Sequence, residues 1–195
     1  LLTGLLFLLT YQRFRSSPLT TAIFLFLVLF LIIVSTIDFQ TYTIPNRLTY
    51  PLIVLGLLSS PFNSLLRGYS GMIVGSSKEL FLMFSSFLGL LMGGGIVYLI
   101  ALLGRKMFRR EAMGGGDIKL ISAVGAFLGL VNVLWVIFIA SLLGAITGAV
   151  LIISGKYKKF QPIPFGIYIS LGAILVFLFQ PGFNRIYLDL ISICR

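Results

Sequence analysis

Long apolar runs, separated by short polar breaks, occupy most of this sequence and restrict the folds that it can adopt. An α-helix needs roughly 20 apolar residues to cross a hydrocarbon core about 30 Å thick. Runs of this kind cover residues 1–11 (the tail of an incomplete span), 19–37, 48–60, 80–103, 118–154 (two spans, divided around Val131 and Asn132) and 165–179. The sequence therefore predicts an all-α protein, a polytopic transmembrane helical bundle of about seven spans.

The two ends of the chain carry further expectations. Residues 183–195 place apolar and polar side chains at helical spacing, which predicts an amphipathic helix in the membrane interface rather than a span. Because the chain opens with Leu1 inside an apolar run, we expect it to be a piece of a longer polypeptide. The polar breaks are too short to hold a soluble domain, so residues 1–195 are predicted to form a single membrane-embedded domain.

The composition excludes several kinds of active site. Hydrophobic residues make up 58% of the chain and charged residues 10%, with no histidine and one cysteine. Without histidine, no Ser–His–Asp or Cys–His relay can be built. One cysteine cannot form an internal disulfide, and zinc is not supported by this chain. If the protein performs acid–base chemistry, the expected agent is one of its acidic residues, which are Asp38, Glu79, Glu111, Asp117 and Asp189.

The net charge of +10 comes from basic residues in the polar breaks, a pattern typical of membrane proteins that argues against nucleic acid as a partner. Alternate threading of the spans places nine of them on one side, namely Arg47, Arg105, Lys106, Arg109, Arg110, Lys119, Lys156, Lys158 and Lys159. The other side receives Arg13, Arg15, Arg67, Lys78, Arg185 and Arg195. Because cytoplasmic loops carry the excess of Lys and Arg, the first side is predicted to be cytoplasmic.

Two aspartates lie at the edges of apolar runs on this predicted cytoplasmic side. Asp38 ends one run, and Asp117 directly precedes another. Ionisable residues at such depths are costly and are functional candidates. The simpler interpretation is that Asp117 is a helix N-cap and that Asp38 only marks the end of a hydrophobic segment.

A pair of carboxyl groups in close proximity shares a proton, because the two cannot easily ionise together. One member can then act as a general base on water while the other donates a hydrogen bond to a substrate carbonyl. This is the arrangement of an aspartic protease, which requires neither histidine nor metal. Gly114, Gly115 and Gly116 precede Asp117 and would let an extended substrate approach the backbone closely, although such a run can also be a flexible turn or a packing device.

Three segments together resemble the type IV prepilin peptidases, which are membrane aspartic proteases of the Gly-x-Gly-Asp type. They are Asp38 with residues 44–49 (IPNRLT), residues 111–120 (EAMGGGDIKL) and residues 162–166 (PIPFG). The similarity extends from residue 1 to about residue 179 in the same order and spacing. Bacterial members usually carry an N-terminal cytoplasmic segment with two Cys-x-x-Cys pairs. That segment is expected to lie upstream of Leu1, since this chain has only Cys194.

The resemblance implies a leader peptidase that cuts prepilins or pseudopilins of type IV pilus or type II secretion systems at the cytoplasmic face of the inner membrane. It implies Asp38 and Asp117 as the catalytic pair. It further implies a set of residues that shape the site or bind substrate, namely Gly114, Gly116, Glu111, Lys119, Pro45, Asn46, Phe165 and Gly166. Proteolysis would need no cofactor, whereas S-adenosylmethionine would serve N-methylation if the full-length protein has that activity. The other partner is the lipid bilayer.

Some alternatives remain open from the residues alone. A small proton- or cation-coupled transporter could use the two aspartates as a relay. A scaffold of a secretion assembly would leave both aspartates without a role. Glu111 could pair with Arg109 or Arg110 or belong to a methyl-donor site, and Lys119 could contact lipid headgroups rather than take part in catalysis.

Overall fold

The computed structural model describes residues 2–63, 65–66, 78–108, 113–155 and 163–193, and within these ranges the chain forms α-helices without strands. The α-helices are α1 (Leu2–Phe14), α2 (Pro18–Thr41), α3 (Asn46–Ser59), α4 (Lys78–Phe108), α5 (Gly115–Leu128), α6 (Leu130–Ile153) and α7 (Phe165–Ile193). A short 3-10 helix, Ser60–Phe62, follows α3. The prediction of an all-α helical bundle is confirmed.

The helices differ in their ability to cross a membrane. Three stretches are long and apolar enough to do so, namely Pro18–Thr41, Leu80–Met107 and Leu130–Ile153. Helices α3 and α5 have 14 residues each. At about 1.5 Å per residue such a helix is roughly 21 Å long, which is less than the hydrocarbon core. The predicted apolar runs form helices, but among the described residues fewer of these helices are long enough to cross the membrane than the sequence predicted.

The ends of the helices place both candidate aspartates at the same end of the bundle. Asp38 lies in the last turn of α2, where its carbonyl oxygen accepts the N–H of Tyr42 at 2.8 Å. Tyr42 adopts left-handed backbone angles (φ 53°), which end α2 and turn the chain back into α3 after Pro45. Asp117 lies in the first turn of α5. This end of the bundle, where α2 ends and α3, α5 and α7 begin, is called the site end below.

Glycines bring α4 and α5 into backbone contact. A Cβ on Gly89 would overlap the carbonyl oxygen of Gly125, and a Cβ on Gly125 would overlap that of Gly89. On the next turn of α4, a Cβ on Gly93 would lie 2.9 Å from the carbonyl oxygen of Ile121. A Cβ on Gly94 would overlap Ser122 Oγ of α5, whereas a Cβ on Gly95 would meet nothing within 4 Å. This contact fixes the position of α5 and with it that of Asp117.

The break between α5 and α6 lies at Gly129, two residues before the predicted division at Val131 and Asn132. Gly129 has a φ of 79°, a backbone conformation that L side chains rarely adopt. The carbonyl oxygens left without helical partners at the end of α5 are bonded by side-chain amides instead. Asn63 donates to Phe127 O at 2.6 Å, and Asn132 donates to Leu128 O at 2.9 Å. The asparagine predicted to mark the break thus lies in α6 and caps the preceding helix.

Helix α7 changes direction at Phe179, whose φ and ψ of −102° and 15° are not helical. Pro181 follows two residues later and lacks the N–H that would continue the hydrogen-bond ladder. The segment after the kink remains helical to Ile193. The predicted helix over residues 183–195 is therefore present as far as the structure describes it. Its position in the membrane interface stays a prediction, and Cys194 lies outside the described residues.

The contact between α4 and α5 predicts a clear difference between two alanine substitutions in α4. Gly89→Ala must push the helices apart, and overpacking of this kind costs about 1–3 kcal/mol of unfolding free energy. Gly95→Ala meets open space and should be neutral or stabilising, because alanine is favoured over glycine within a helix. Unfolding of the two variants in mixed detergent micelles measures the difference. Equal stabilities would contradict the packing described for α4 and α5.

Candidate active site

Asp38 is held by the beginning of α7. Its side chain is 3% exposed, and its Oδ2 accepts the backbone N–H of Gly166 at 2.8 Å. The N–H of Ile167 bonds the same carboxyl group. These N–H groups belong to the first turn of a helix, where they have no partner within the helix and where the positive end of the helix dipole lies. Asp38 therefore caps α7 from another helix, and this arrangement stabilises a negative charge on it.

Asp117 is bound by the start of its own helix. Gly114 is the N-cap of α5, its carbonyl oxygen accepts the N–H of Asp117 at 3.1 Å, and its own N–H bonds the Asp117 carboxyl group. The interpretation of Asp117 as the N-cap residue is therefore wrong, because Gly114 occupies that position and Asp117 lies three residues into the turn. In sequence, Asp117 precedes the apolar residues of α5 and lies outside the three candidate spans. Burial, followed by the negative charge of Asp38, raises the pKa of Asp117 to about 7.

Ile44 links the two aspartates through the glycines beside them. A Cβ on Gly116 would lie 2.8 Å from Ile44 Cβ and 3.1 Å from Ile44 O. A Cβ on Gly166 would lie 2.8 Å from Asp38 Oδ2 and 2.9 Å from Ile44 Cδ1. Both positions must be glycine for the loop between α2 and α3 to lie where it does. The sequence placed Ile44 in the 44–49 segment but predicted no role for its side chain, because its contacts are with residues far along the chain.

The three consecutive glycines have different surroundings, and these match the Gly-x-Gly spacing. Gly116 contacts Ile44, and a Cβ on Gly114 would lie 3.3 Å from Asp117 Oδ2. A Cβ on Gly115 would meet nothing within 4 Å. Gly114 and Gly115 are also exposed, so the backbone beside Asp117 is open to an approaching chain.

Lys119 joins α5 to α3 rather than projecting freely. Its Nζ donates to Asn46 Oδ1 at 2.6 Å and lies 5.1 Å from the centre of the Tyr50 ring. Asn46 is the first residue of α3, and Pro45 is the N-cap before it. The predicted site residues Pro45, Asn46 and Lys119 therefore form a junction at the site end.

The remaining predicted site residues are placed as follows. Gly166 contacts Asp38 directly, as described above. Phe165 is the first residue of α7 and packs against α6, where a Cβ added to Gly144 would lie 3.3 Å from the Phe165 ring. Glu111 lies outside the described residues. Among the residues that the structure describes, there is no group of three or more His, Cys, Asp or Glu side chains that could hold a metal ion. What the described site offers is two carboxyl groups at one end of an apolar bundle.

Comparison with known proteins points to one family of proteins. Residues 25–149, which include both Asp38 and Asp117, match the model of the type IV leader peptidase family. Three similar proteins, each named prepilin leader peptidase/N-methyltransferase, come from Xanthomonas campestris pv. campestris, Bacillus subtilis and Neisseria gonorrhoeae. Their identities to this chain are 33%, 30% and 34% over 149, 163 and 163 residues. No solved structure matches.

These alignments cover most of this chain but a smaller share of the relatives. They include 76%, 82% and 83% of this chain, and 46%, 56% and 51% of the relatives from X. campestris, B. subtilis and N. gonorrhoeae, respectively. The chain thus spans about half the length of the curated relatives that it matches. The matches support the peptidase interpretation and give no support to the transporter alternative.

The raised pKa of Asp117 predicts that stability falls as pH rises. In the folded protein Asp117 keeps its proton up to about pH 7, whereas in the unfolded chain it releases the proton near its ordinary pKa of 3.8. Between these values the folded state binds more protons, so its stability decreases with increasing pH. Asp117→Asn should flatten this dependence and raise the thermal midpoint at pH 8 in detergent. Asp189→Asn is the matched control, and the same slope in both variants would contradict the shift.

Proposed function

The chain belongs to the type IV leader peptidase family, and we propose that it is a membrane aspartic endopeptidase that removes the basic leader peptide from prepilins or pseudopilins. The observation that carries the proposal is the placement of two carboxyl groups at one end of the bundle. Asp38 comes from α2 and is held by α7, whereas Asp117 comes from α5. The charge of Asp38 raises the pKa of Asp117, which is the interaction that a shared proton requires.

The protein is an integral membrane protein, as its family and its three apolar helices indicate. We propose the inner membrane as its location, with the site end facing the cytoplasm. The distribution of basic residues over the whole sequence supports this orientation, with nine predicted on the side of Asp38 and Asp117 and six on the other. Among the described basic residues, Arg47, Arg105, Lys106 and Lys119 lie near the site end, whereas Arg13, Arg15, Lys78 and Arg185 lie in segments away from it.

In the proposed reaction the two aspartates have different roles. We assign the ionised role to Asp38, because two backbone N–H groups, those of Gly166 and Ile167, bond its carboxyl group, whereas that of Asp117 receives the N–H of Gly114. Asp38 takes a proton from water, whose oxygen attacks the scissile carbonyl carbon, while protonated Asp117 donates to the carbonyl oxygen. The proton on Asp38 then passes to the amide nitrogen, and the C–N bond breaks. Asp117 recovers its proton from the hydroxyl group as the new carboxyl group forms.

The glycines before Asp117 suit an extended peptide substrate. Gly114 and Gly115 are exposed and present backbone without side chains next to the carboxyl group. A substrate backbone can approach such a surface closely. The exposed apolar side chains along the long helices, such as Leu99 and Phe138, fit a substrate whose mature part begins with a hydrophobic helix and approaches within the bilayer.

Methylation is not part of the proposal. The similar proteins are also named N-methyltransferases. For that activity the resemblance implies S-adenosylmethionine as the methyl donor. No step of the proposed reaction involves this cofactor.

Neutral isosteres at the two aspartates test the proposed chemistry. Asp38→Asn and Asp117→Asn should each lower the rate of leader cleavage by roughly 1,000-fold or more, because the two carboxyl groups act as a unit. Purified protein in detergent and a leader-bearing prepilin, resolved on a gel, provide the assay. Glu79→Gln and Asp189→Asn make the same chemical change at acidic residues outside the site and should cut at nearly the wild-type rate. Near-normal cleavage by either asparagine variant would refute the aspartic mechanism.

A further inference from the structure

Ile44 occupies a position that no catalytic role explains. It is 8% exposed, although it belongs to the four-residue connection between α2 and α3, whose other members are exposed. Two features of the connection direct it inward. Tyr42 turns the chain with its left-handed backbone (φ 53°), and Pro45 fixes φ at −66° before α3 begins. The connection therefore delivers one apolar side chain into the site end.

Ile44 contacts the start of both α5 and α7. On one side, a Cβ on Gly116 would lie 2.8 Å from Ile44 Cβ, 3.1 Å from its carbonyl oxygen and 3.3 Å from its nitrogen. On the other side, the tip of the side chain reaches Gly166, where an added Cβ would lie 2.9 Å from Ile44 Cδ1. Gly116 immediately precedes Asp117, and Gly166 donates its N–H to Asp38. Ile44 thus lies between the backbone that carries one aspartate and the backbone that holds the other.

We propose that Ile44 is a positioning residue of the aspartate pair, and that its side chain sets the separation of the two carboxyl groups by spacing the first turns of α5 and α7. The proposal rests on the proposed peptidase function. A β-branched side chain suits this task because its first torsion angle is restricted, so the spacing is stiff. Ile44 touches no reacting atom and acts through Gly116 and Gly166.

A change in this spacing should alter both rate and titration. Displacement of a catalytic group by about an ångström can lower a rate by roughly 100-fold. Two interacting acids also titrate as a pair, with apparent pKa values that depend on their separation. The charge that acts on Asp117 is that of Asp38, and Lys119 on the same helix is bonded to Asn46. A shorter side chain at position 44 lets the first turns of α5 and α7 approach, and a closer pair interacts more strongly, so its upper apparent pKa rises.

The experiment compares the pH dependence of cleavage for four proteins. Ile44→Ala removes the part of the side chain that contacts Gly166. Ile44→Val removes only Cδ1, the atom nearest Gly166, and keeps the branched Cβ beside Gly116. Ile174→Ala is the matched control, since Ile174 in α7 is similarly buried (7% exposed) and the substitution removes the same side-chain volume. Wild type is the fourth. The values of kcat and KM are measured on a leader-bearing prepilin in detergent from pH 5 to 9.

Ile44→Ala should lower kcat by about 10- to 100-fold with KM nearly unchanged, and the alkaline limb of its kcat profile should move to higher pH. Ile44→Val should shift in the same direction by less. Ile174→Ala should lose stability while keeping the wild-type profile. A wild-type pH profile in both Ile44 variants, with kcat lost only in proportion to folded protein, would overturn the proposal. If Ile44→Ala does not fold, the pH profile of Ile44→Val tests the proposal by itself.

A second readout separates this proposal from the proposed function. The titration of Asp117, followed by carboxyl carbon NMR of the resting protein, needs no substrate. If wild type fails to cut any leader-bearing prepilin, the peptidase proposal fails. Ile44 still positions the pair if Ile44→Val raises the apparent pKa of Asp117 while Ile174→Ala does not. An unchanged titration of Asp117 in the Ile44 variants overturns the positioning role whether or not cleavage is seen.

Discussion

Burial of the Asp38 carboxyl group at the end of an apolar bundle costs free energy, and the first N–H groups of α7 offset that cost. The requirement is stringent, because an unpaired charge at this position would be strongly unfavourable. Helix α7 must therefore begin beside the last turn of α2, although 128 residues separate Gly166 from Asp38. The intervening helices must return the chain to the end of α2 for this contact to form, and the other residues of the site lie around it.

The second aspartate depends on packing rather than on a cap. The backbone contact of Gly89 with Gly125 fixes α5 against α4, and Ile44 fills the space beside Gly116 at the start of α5. Because α5 has only 14 residues, it ends inside the bundle, where Asn63 and Asn132 bond its last carbonyl oxygens. A short helix that is fixed at both ends is a rigid support for Asp117. Rigid support matters because the electrostatic interaction between the two acids depends on their distance.

Much of the fold could be predicted from the sequence, because apolar runs report burial in lipid or protein. The position of the break between α5 and α6 could not be predicted. The polar residue in the apolar run, Asn132, lies within α6 and donates a hydrogen bond to the last turn of α5. The position of Asp38 and Asp117 at the same end of the bundle could be predicted from charge at the edges of apolar runs, and their catalytic role stays a prediction. The contribution of Gly166 as a backbone donor, and that of Ile44 as a spacer, could not be predicted. Both arise from contacts between distant segments that no local pattern encodes.

The account rests on electrostatic coupling between Asp38 and Asp117, and carboxyl carbon NMR measures it directly. The chain contains three aspartates, Asp38, Asp117 and Asp189, so a sample labelled at aspartate carboxyl carbons gives few signals to assign. The pKa of Asp117 is read in wild type and in Asp38→Asn, with Asp189→Asn as the control. Burial and, after it, the charge of Asp38 raise the pKa of Asp117 to about 7, so removal of that charge should lower the pKa, while Asp189→Asn should leave it unchanged. An Asp117 pKa that is the same with and without the Asp38 carboxyl group would contradict the account.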